Sequence, residues 1–209
     1  MTYRLIFFDV DSTLVTIEGI DVLANGAPEI AALTDAAMNG LIPLDQVYAR
    51  RLDIIKPTRD DVAKLGKTYV NSIVDGVQET IVALQDGGAR VHLITGGIEQ
   101  AILPLAETLG IPERNVHAVR LRFGASGDYE DFDRRSFLAR PGGKELVVRD
   151  MRARSHGKAA FVGDGVSDLE AKDAVDLFIG FGGVVVRPLV KENAHKYVTD
   201  FRDILQHLS

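Results

Sequence analysis

Four short apolar runs constrain this chain more than any other feature. Tyr3–Phe8, Ala89–Thr95, Ala159–Val162 and Leu177–Gly180 are rich in branched and aromatic residues and short enough to read as buried strands. From residue 76 onward these runs alternate with helical stretches. Val77–Gln85 is closed by Gly87-Gly88, and Ile98–Leu109, Lys144–Arg154 and a helix from Leu169 follow. Such alternation predicts an α/β fold, a parallel sheet covered by helices on both faces. Asn115–Phe123 and Tyr129–Phe132, joined through Gly124-Ala125-Ser126-Gly127-Asp128, read as a hairpin.

Residues 20–75 interrupt this rhythm and read almost entirely as helix. Pro28 opens one helix in the favoured first-turn position, ending near Asn39-Gly40. Pro43 opens a second that runs to Lys56, before Pro57. Thr58, with Asp61 three residues on, makes a capping-box-like start to a third. The expected organisation is a core built from 1–17 and 76–209, with 18–75 as a small helical domain inserted after the first strand.

The 209 residues allow one sizeable core, or a core and a small insert. A net charge of −6 argues against a nucleic-acid or anionic-membrane partner. The chain has no cysteine, hence no disulfide, thiolate ligand or thiol nucleophile. No apolar run approaches the roughly 20 residues needed to span a bilayer. The N-terminus enters a strand containing Arg4 without a signal-peptide pattern, so a cytoplasmic location is expected. A homodimer is left open.

In open sheets of this class, ligands bind beyond the carboxyl ends of the strands, and three strand ends here carry chemistry. The first is Asp9-x-Asp11, whose carboxylates point the same way if the backbone stays extended. It is not a calcium loop, which would want Gly and Glu where Leu14 and Ile20 stand. The second is Thr95-Gly96-Gly97. It offers a hydroxyl, close backbone approach and free N–H groups at the start of the helix from Ile98, a natural phosphate cradle, although an ordinary strand-to-helix turn has the same residues. The third, Gly163-Asp164-Gly165-x-x-Asp168, adds two carboxylates. Together Asp9, Asp11, Asp164 and Asp168 form a hard oxygen set suited to Mg²⁺. Lys144 is the candidate cation for a bound phosphate; by residue type alone it equally fits a solvated surface charge.

In these motifs the chain resembles a haloacid-dehalogenase-superfamily phosphatase, and in particular the phosphoserine phosphatases. The matching stretches are DxDST at 9–13, TGG at 95–97, Lys144 and GDGxxD at 163–168, in order. Further similarity lies at Glu18-Gly19-Ile20-Asp21, Ala37-Met38, Arg51-Leu52, Gly180-Phe181-Gly182-Gly183 and Arg187, so it covers about Arg4 to Leu205. The resemblance implies a Rossmann-like core with a small helical cap. It implies Asp9 as nucleophile forming an aspartyl-phosphate, and Asp11 as general acid and then base. Asp9, Asp164 and the main-chain carbonyl of Asp11 would hold Mg²⁺, with Asp168 in support. Thr95, Gly96 and Lys144 would bind the phosphoryl oxygens.

The substrate expectation comes from the insert. In the helix from Pro43, Leu44, Val47, Tyr48, Leu52, Ile54 and Ile55 define one apolar face, with Arg51 within roughly 20° of its centre. A guanidinium there is costly to bury unless an anion meets it. The anion is either an internal partner such as Glu18 or a substrate carboxylate, with Glu18 then taking an ammonium. The second arrangement matches the residues that phosphoserine phosphatases use, and implies a small phosphorylated amino acid, O-phospho-L-serine, hydrolysed in the last step of serine biosynthesis. Departures from the family pattern are Thr95 for Ser, Ser167 near the substrate for Thr or Asn, and Asn39 and Leu44 for Gly and an aromatic. They leave phosphothreonine, phosphohomoserine or another small phosphomonoester open, for a phosphatase or a phosphotransferase. An Asp-phosphorylated signalling domain, the rival of another class, gives no role to Asp11 or to the insert.

Overall fold

A computed structural model describes residues 2–38, 41–42 and 44–208. The chain begins with β1 (Tyr3–Phe8), then α1 (Gly19–Leu23), α2 (Pro28–Met38), α3 (Leu44–Ile55) and α4 (Arg59–Asn71). Next come α5 (Val77–Asp86), β2 (Arg90–Ile98), α6 (Glu99–Thr108), β3 (Val116–Val119), β4 (Leu121–Phe123) and β5 (Tyr129–Phe132). The last part comprises α7 (Gly143–Ala153), β6 (Lys158–Gly163), α8 (Val166–Leu169), β7 (Leu177–Phe181), α9 (Pro188–Asn193), β8 (Lys196–Val198) and α10 (Ile204–Leu208). Among the described residues no helix is long and apolar enough to cross a membrane.

Six parallel strands form the main sheet in the order β3-β2-β1-β6-β7-β8. Leu5, Ile6, Phe7 and Phe8 are all buried, because both faces of a central strand are covered. In register across one face run His92, Phe7, Phe161 and Phe178, with neighbouring ring centroids 5.7, 6.4 and 5.9 Å apart. His117 stacks on His92 at 5.7 Å. The order reverses at β1, from which the chain winds to β2 and β3 on one side and β6, β7 and β8 on the other. A crevice opens at such a switch point, beyond the carboxyl end of the strand.

Residues between the first strand and α5 leave and re-enter the core at one neck. Val15 bridges Ile73, the Thr16 N–H donates to Ser72 O at 2.8 Å, and the Val74 N–H to Leu14 O at 2.9 Å. Beyond the neck, α4 begins with a complete Thr58/Asp61 capping box. Asn39, Gly40, Pro43 and the side chain of Leu44 lie outside the described residues, so the end of the first helix, its opening of the second by Pro43 and the two family departures there are not addressed.

Several local expectations change. The hairpin is shorter: only β4 pairs antiparallel with β5, whereas Val116–Val119 joins the main sheet beside β2. The run from 115 to 123 reads as one strand because Val116, Ala118, Val119, Leu121 and Phe123 recur through it with no Gly or Pro; Arg120 separates the two. The helix after β6 starts at Val166 rather than Leu169 and lasts one turn. On α3, Val47, Tyr48 and Leu52 are buried with Arg51, but Ile54 is half exposed, so the apolar face is narrower than its composition implies. The hairpin reaches the insert: the Arg59 N–H donates to Gly127 O at 2.8 Å, and Tyr48 packs on Phe132 at 5.2 Å.

Candidate active site

Asp9 follows β1 directly, and its N–H continues the ladder to Val162 O of β6 at 3.0 Å. Its side chain is therefore delivered to the switch point by sheet pairing rather than by a mobile loop. One carboxylate oxygen from each of Asp9, Asp164 and Asp168 lies within 4.8 Å of the others, and all three residues are buried. Lys144, buried at the start of α7, places Nζ 2.7 Å from Asp9 Oδ1 and in contact with Asp168 Oδ1. Burial alone would lower the pKa of Lys144; the charges of Asp168 and Asp9 override it and raise the pKa, keeping the ammonium charged.

The two GDGxxD carboxylates have distinct partners. Asp168 Oδ2 accepts the Gly165 N–H at 2.8 Å, closing the turn it belongs to, and packs so close to Gly163 that a Cβ there would stand 2.4 Å from its carboxyl carbon. Asp164 accepts from Thr13 Oγ1 at 3.1 Å and from Arg187 Nε at 3.0 Å. Burial, then the charge of Asp9, pushes the Asp164 carboxyl up to about 6, and the same two causes raise Asp168 well above the carboxylate range.

Asp11 stands apart. The Thr13, Leu14 and Val15 N–H groups all donate to Val10 O, and Ser12 takes a left-handed φ of 52°, so the chain turns immediately after the pair. Asp11 Oδ1 accepts from the Gly19 N–H at 2.9 Å and from the Tyr69 hydroxyl at 2.7 Å. The expected set of four converging carboxylates is thus three, with the Asp11 side chain held separately. Its pKa is pushed up to about 7 by burial, then by Asp9, against the lowering effect of the Tyr69 and Gly19 hydrogen bonds.

Thr95, Gly96 and Gly97 lie in extended backbone, since β2 runs on through Ile98 and the helix begins only at Glu99. The expected free N–H groups at a helix start are correspondingly fewer. The Gly97 N–H donates to Thr95 Oγ1 at 2.9 Å, which occupies an acceptor site of that hydroxyl and leaves its proton to donate elsewhere. Both residues, with Gly96 and Ser167, line the same pocket as Asp9, Asp11 and Lys144.

The pocket's other wall comes from the insert, with Glu18, Thr34, Tyr48 and Arg51 among its lining. Arg51 is 6% exposed. Its NH1 donates to Thr34 Oγ1 at 3.2 Å, while its buried Nε has no partner. Among the described residues no carboxylate comes within ion-pair distance of it, so the internal pairing with Glu18 is not formed. Burial lowers the Arg51 pKa, and the nearby Tyr48, Asp21, Glu18 and Asp11 only partly offset this. Glu18 instead accepts from Ser12 Oγ at 2.6 Å and lies 3.9 Å from Arg187. Burial, then the charges of Asp11 and Asp164, raise its pKa well above the usual value.

Burial first, and then the charge of Asp9, hold the Asp164 and Asp168 carboxyls above their ordinary range, which fits a cation beside them, and Asp9, Asp164 and Asp168 could hold a metal ion through oxygen donors. Two residues at the site escaped a role in the sequence analysis. Arg187 is a lone charge between the apolar Val184–Val186 and Pro188, a signal that could have drawn attention to it. Tyr69 continues the Val62, Leu65 row of α4 and is indistinguishable there from a core aromatic.

The sequence model of the haloacid dehalogenase-like hydrolase family matches residues 6–172. Phosphoserine phosphatase of Mus musculus is 40% identical over 205 residues, covering 96% of this chain and 91% of the mouse protein. The phosphoserine phosphatase of Methanocaldococcus jannaschii is 28% identical over 214 residues, covering 98% of this chain and 97% of that protein. A solved phospho-aspartyl intermediate analogue of phosphoserine phosphatase superposes with a TM-score of 0.85 at 26% identity, covering 99% of both chains. With the same motifs meeting at one pocket, this chain belongs to the haloacid dehalogenase-like hydrolases and, within them, to the phosphoserine phosphatases.

Proposed function

We propose that this chain hydrolyses O-phospho-L-serine to L-serine and phosphate, in a Mg²⁺-dependent reaction through a phosphorylated Asp9, with residues 18–75 acting as a substrate-reading cap. The observation that carries the substrate assignment is Arg51: a buried guanidinium, without a carboxylate partner among the described residues, lining the same pocket as Asp9 and Lys144. A substrate carboxylate supplies the missing anion. Glu18, across the same pocket, takes the ammonium, so the pair reads both charges of an amino-acid backbone. Ser167 lines the side of the pocket near the strand ends and contacts the bound substrate.

Asp9 attacks phosphorus, forming a bond from its carboxylate oxygen while the bond from phosphorus to the serine oxygen breaks. The departing oxygen takes a proton from Asp11, whose raised pKa lets it hold one near neutral pH. Lys144, Thr95 and the Gly96 backbone stabilise charge on the transferring phosphoryl oxygens. Asp11 then accepts a proton from the water that hydrolyses the acyl-phosphate, releasing phosphate and restoring Asp9. Mg²⁺, held by Asp9, Asp164 and the Asp11 carbonyl with Asp168 in support, would supply further charge neutralisation to the phosphoryl group.

Steady-state phosphate release from phosphoserine, phosphothreonine and an aryl phosphate tests this proposal in the native enzyme and in Asp9→Asn. Preference for phosphoserine is expected, with no turnover by a folded Asp9→Asn protein. Substantial hydrolysis by that variant would refute the nucleophile assignment.

A further inference from the structure

Tyr69 belongs to none of the phosphatase motifs, yet its hydroxyl is bonded to Asp11. The residue is 1% exposed on α4. The buried hydroxyl needs a partner, and it has one in Asp11 Oδ1 at 2.7 Å. Room for it exists because Gly19 has no side chain: a Cβ there would stand 2.0 Å from the Tyr69 oxygen. The Gly19 N–H donates to the same Oδ1 at 2.9 Å. Both arrive from residues 18–75, Gly19 near their start and Tyr69 on α4.

Two donors on one carboxylate oxygen occupy both of its lone-pair directions. A proton carried by Asp11 is then confined to Oδ2. That oxygen lies on the Gly97 side, 3.4 Å from where a Cβ on Gly97 would be, and Gly97 lines the pocket with Thr95 and Gly96. We infer that Tyr69 is a positioning residue, which with the Gly19 N–H pins Asp11 so that Oδ2 alone delivers and takes up the proton. The inference rests on the acid–base role proposed for Asp11, and it deepens that role by naming the oxygen and what holds it.

A serine alkoxide leaves poorly without a proton, whereas 4-nitrophenolate leaves readily without one. The experiment compares first-turnover release of serine from phosphoserine with that of 4-nitrophenolate from 4-nitrophenyl phosphate, in native enzyme, Tyr69→Phe and Asp11→Asn, all metal-loaded. KM and thermal melting are measured alongside. Tyr69→Phe is expected to slow serine release about tenfold while nitrophenolate release stays within about twofold, because general acid assistance is lost only where it is needed. KM and melting temperature should change little. Equal slowing of both leaving groups, or of neither, would overturn the positioning role; it would leave the Asp11 assignment standing if Asp11→Asn loses about a hundredfold or more in serine release. Near-native serine release by Asp11→Asn would overturn both.

Discussion

Arg187 Nε donates to Asp164 Oδ2 at 3.0 Å, and the same guanidinium lies 3.9 Å from Glu18 and 3.5 Å from Asp35. One buried cation thus joins a candidate metal ligand in the core to a substrate-reading candidate next to α1 and to a residue of α2. Burial would lower its pKa, but Asp164 overrides burial and raises it. Arg187→Met should remove the cation and leave Asp164 buried with Thr13 alone. Loss of one partner of a buried pair costs about 3–5 kcal/mol. Urea unfolding in EDTA should show that loss, and added Mg²⁺ should restore part of it by compensating the same carboxylate. Undiminished stability in EDTA would show that the pair contributes nothing.

Arg51 presents the opposite energetics. A buried guanidinium whose Nε is unpartnered burdens the free protein. Arg51→Met should therefore stabilise it by about 1–3 kcal/mol, the scale of an unsatisfied buried polar group. The same change should lower kcat/KM for phosphoserine about 10- to 100-fold through KM, since charge-assisted contacts contribute roughly 1.5–3 kcal/mol. Paired unfolding and kinetic measurements check both halves. A KM for phosphoserine equal to that of native enzyme would exclude the carboxylate clamp.

The carboxylates give stability a pH dependence that metal should abolish. The folded pKa values of Asp11, about 7, and Asp164, about 6, lie above the ordinary carboxylate value of 3.8. Between about pH 7 and 4 the metal-free folded state therefore binds more protons than the unfolded chain, so stability rises as pH falls through that window. His92 acts in the opposite sense: burial, then His117, lowers it to about 4, so its contribution is lost as pH falls from about 6.5 toward 4. His92 lies on the sheet face among Phe7 and His117, so its effect should be the same with and without metal. Urea midpoints measured from pH 8 to 5 should rise toward acid in EDTA relative to the curve in Mg²⁺. Parallel curves would mean that no ion sits among these groups.

Much of this architecture was legible in the strand ends. Asp9, Thr95 and Asp164 each follow an apolar run, and pairing of β1 with β2 and β6 brings those ends to one edge. Less legible were elements whose identity depends on a neighbour. β8 has three residues, Lys196–Val198, and is a strand because it pairs with β7, while α9 follows the Pro188 start that the apolar residues before it disguise. Val116–Val119 belongs to the main sheet because Leu93 and Ile94 offer it an edge, whereas its own sequence flows without interruption into the hairpin.

What the sequence by itself determined is which residue types stand where strands end, because apolar period and turn chemistry are local properties. Tertiary structure alone decided what surrounds each of the two acidic residues of the first motif. Asp9 pairs with Lys144 and is held close to the carboxylates of the third strand end, while Asp11 is turned to Gly19 and Tyr69. The physical reason is that a carboxylate's direction and proton affinity follow from the donors and charges around it, and here those come from segments far away along the chain.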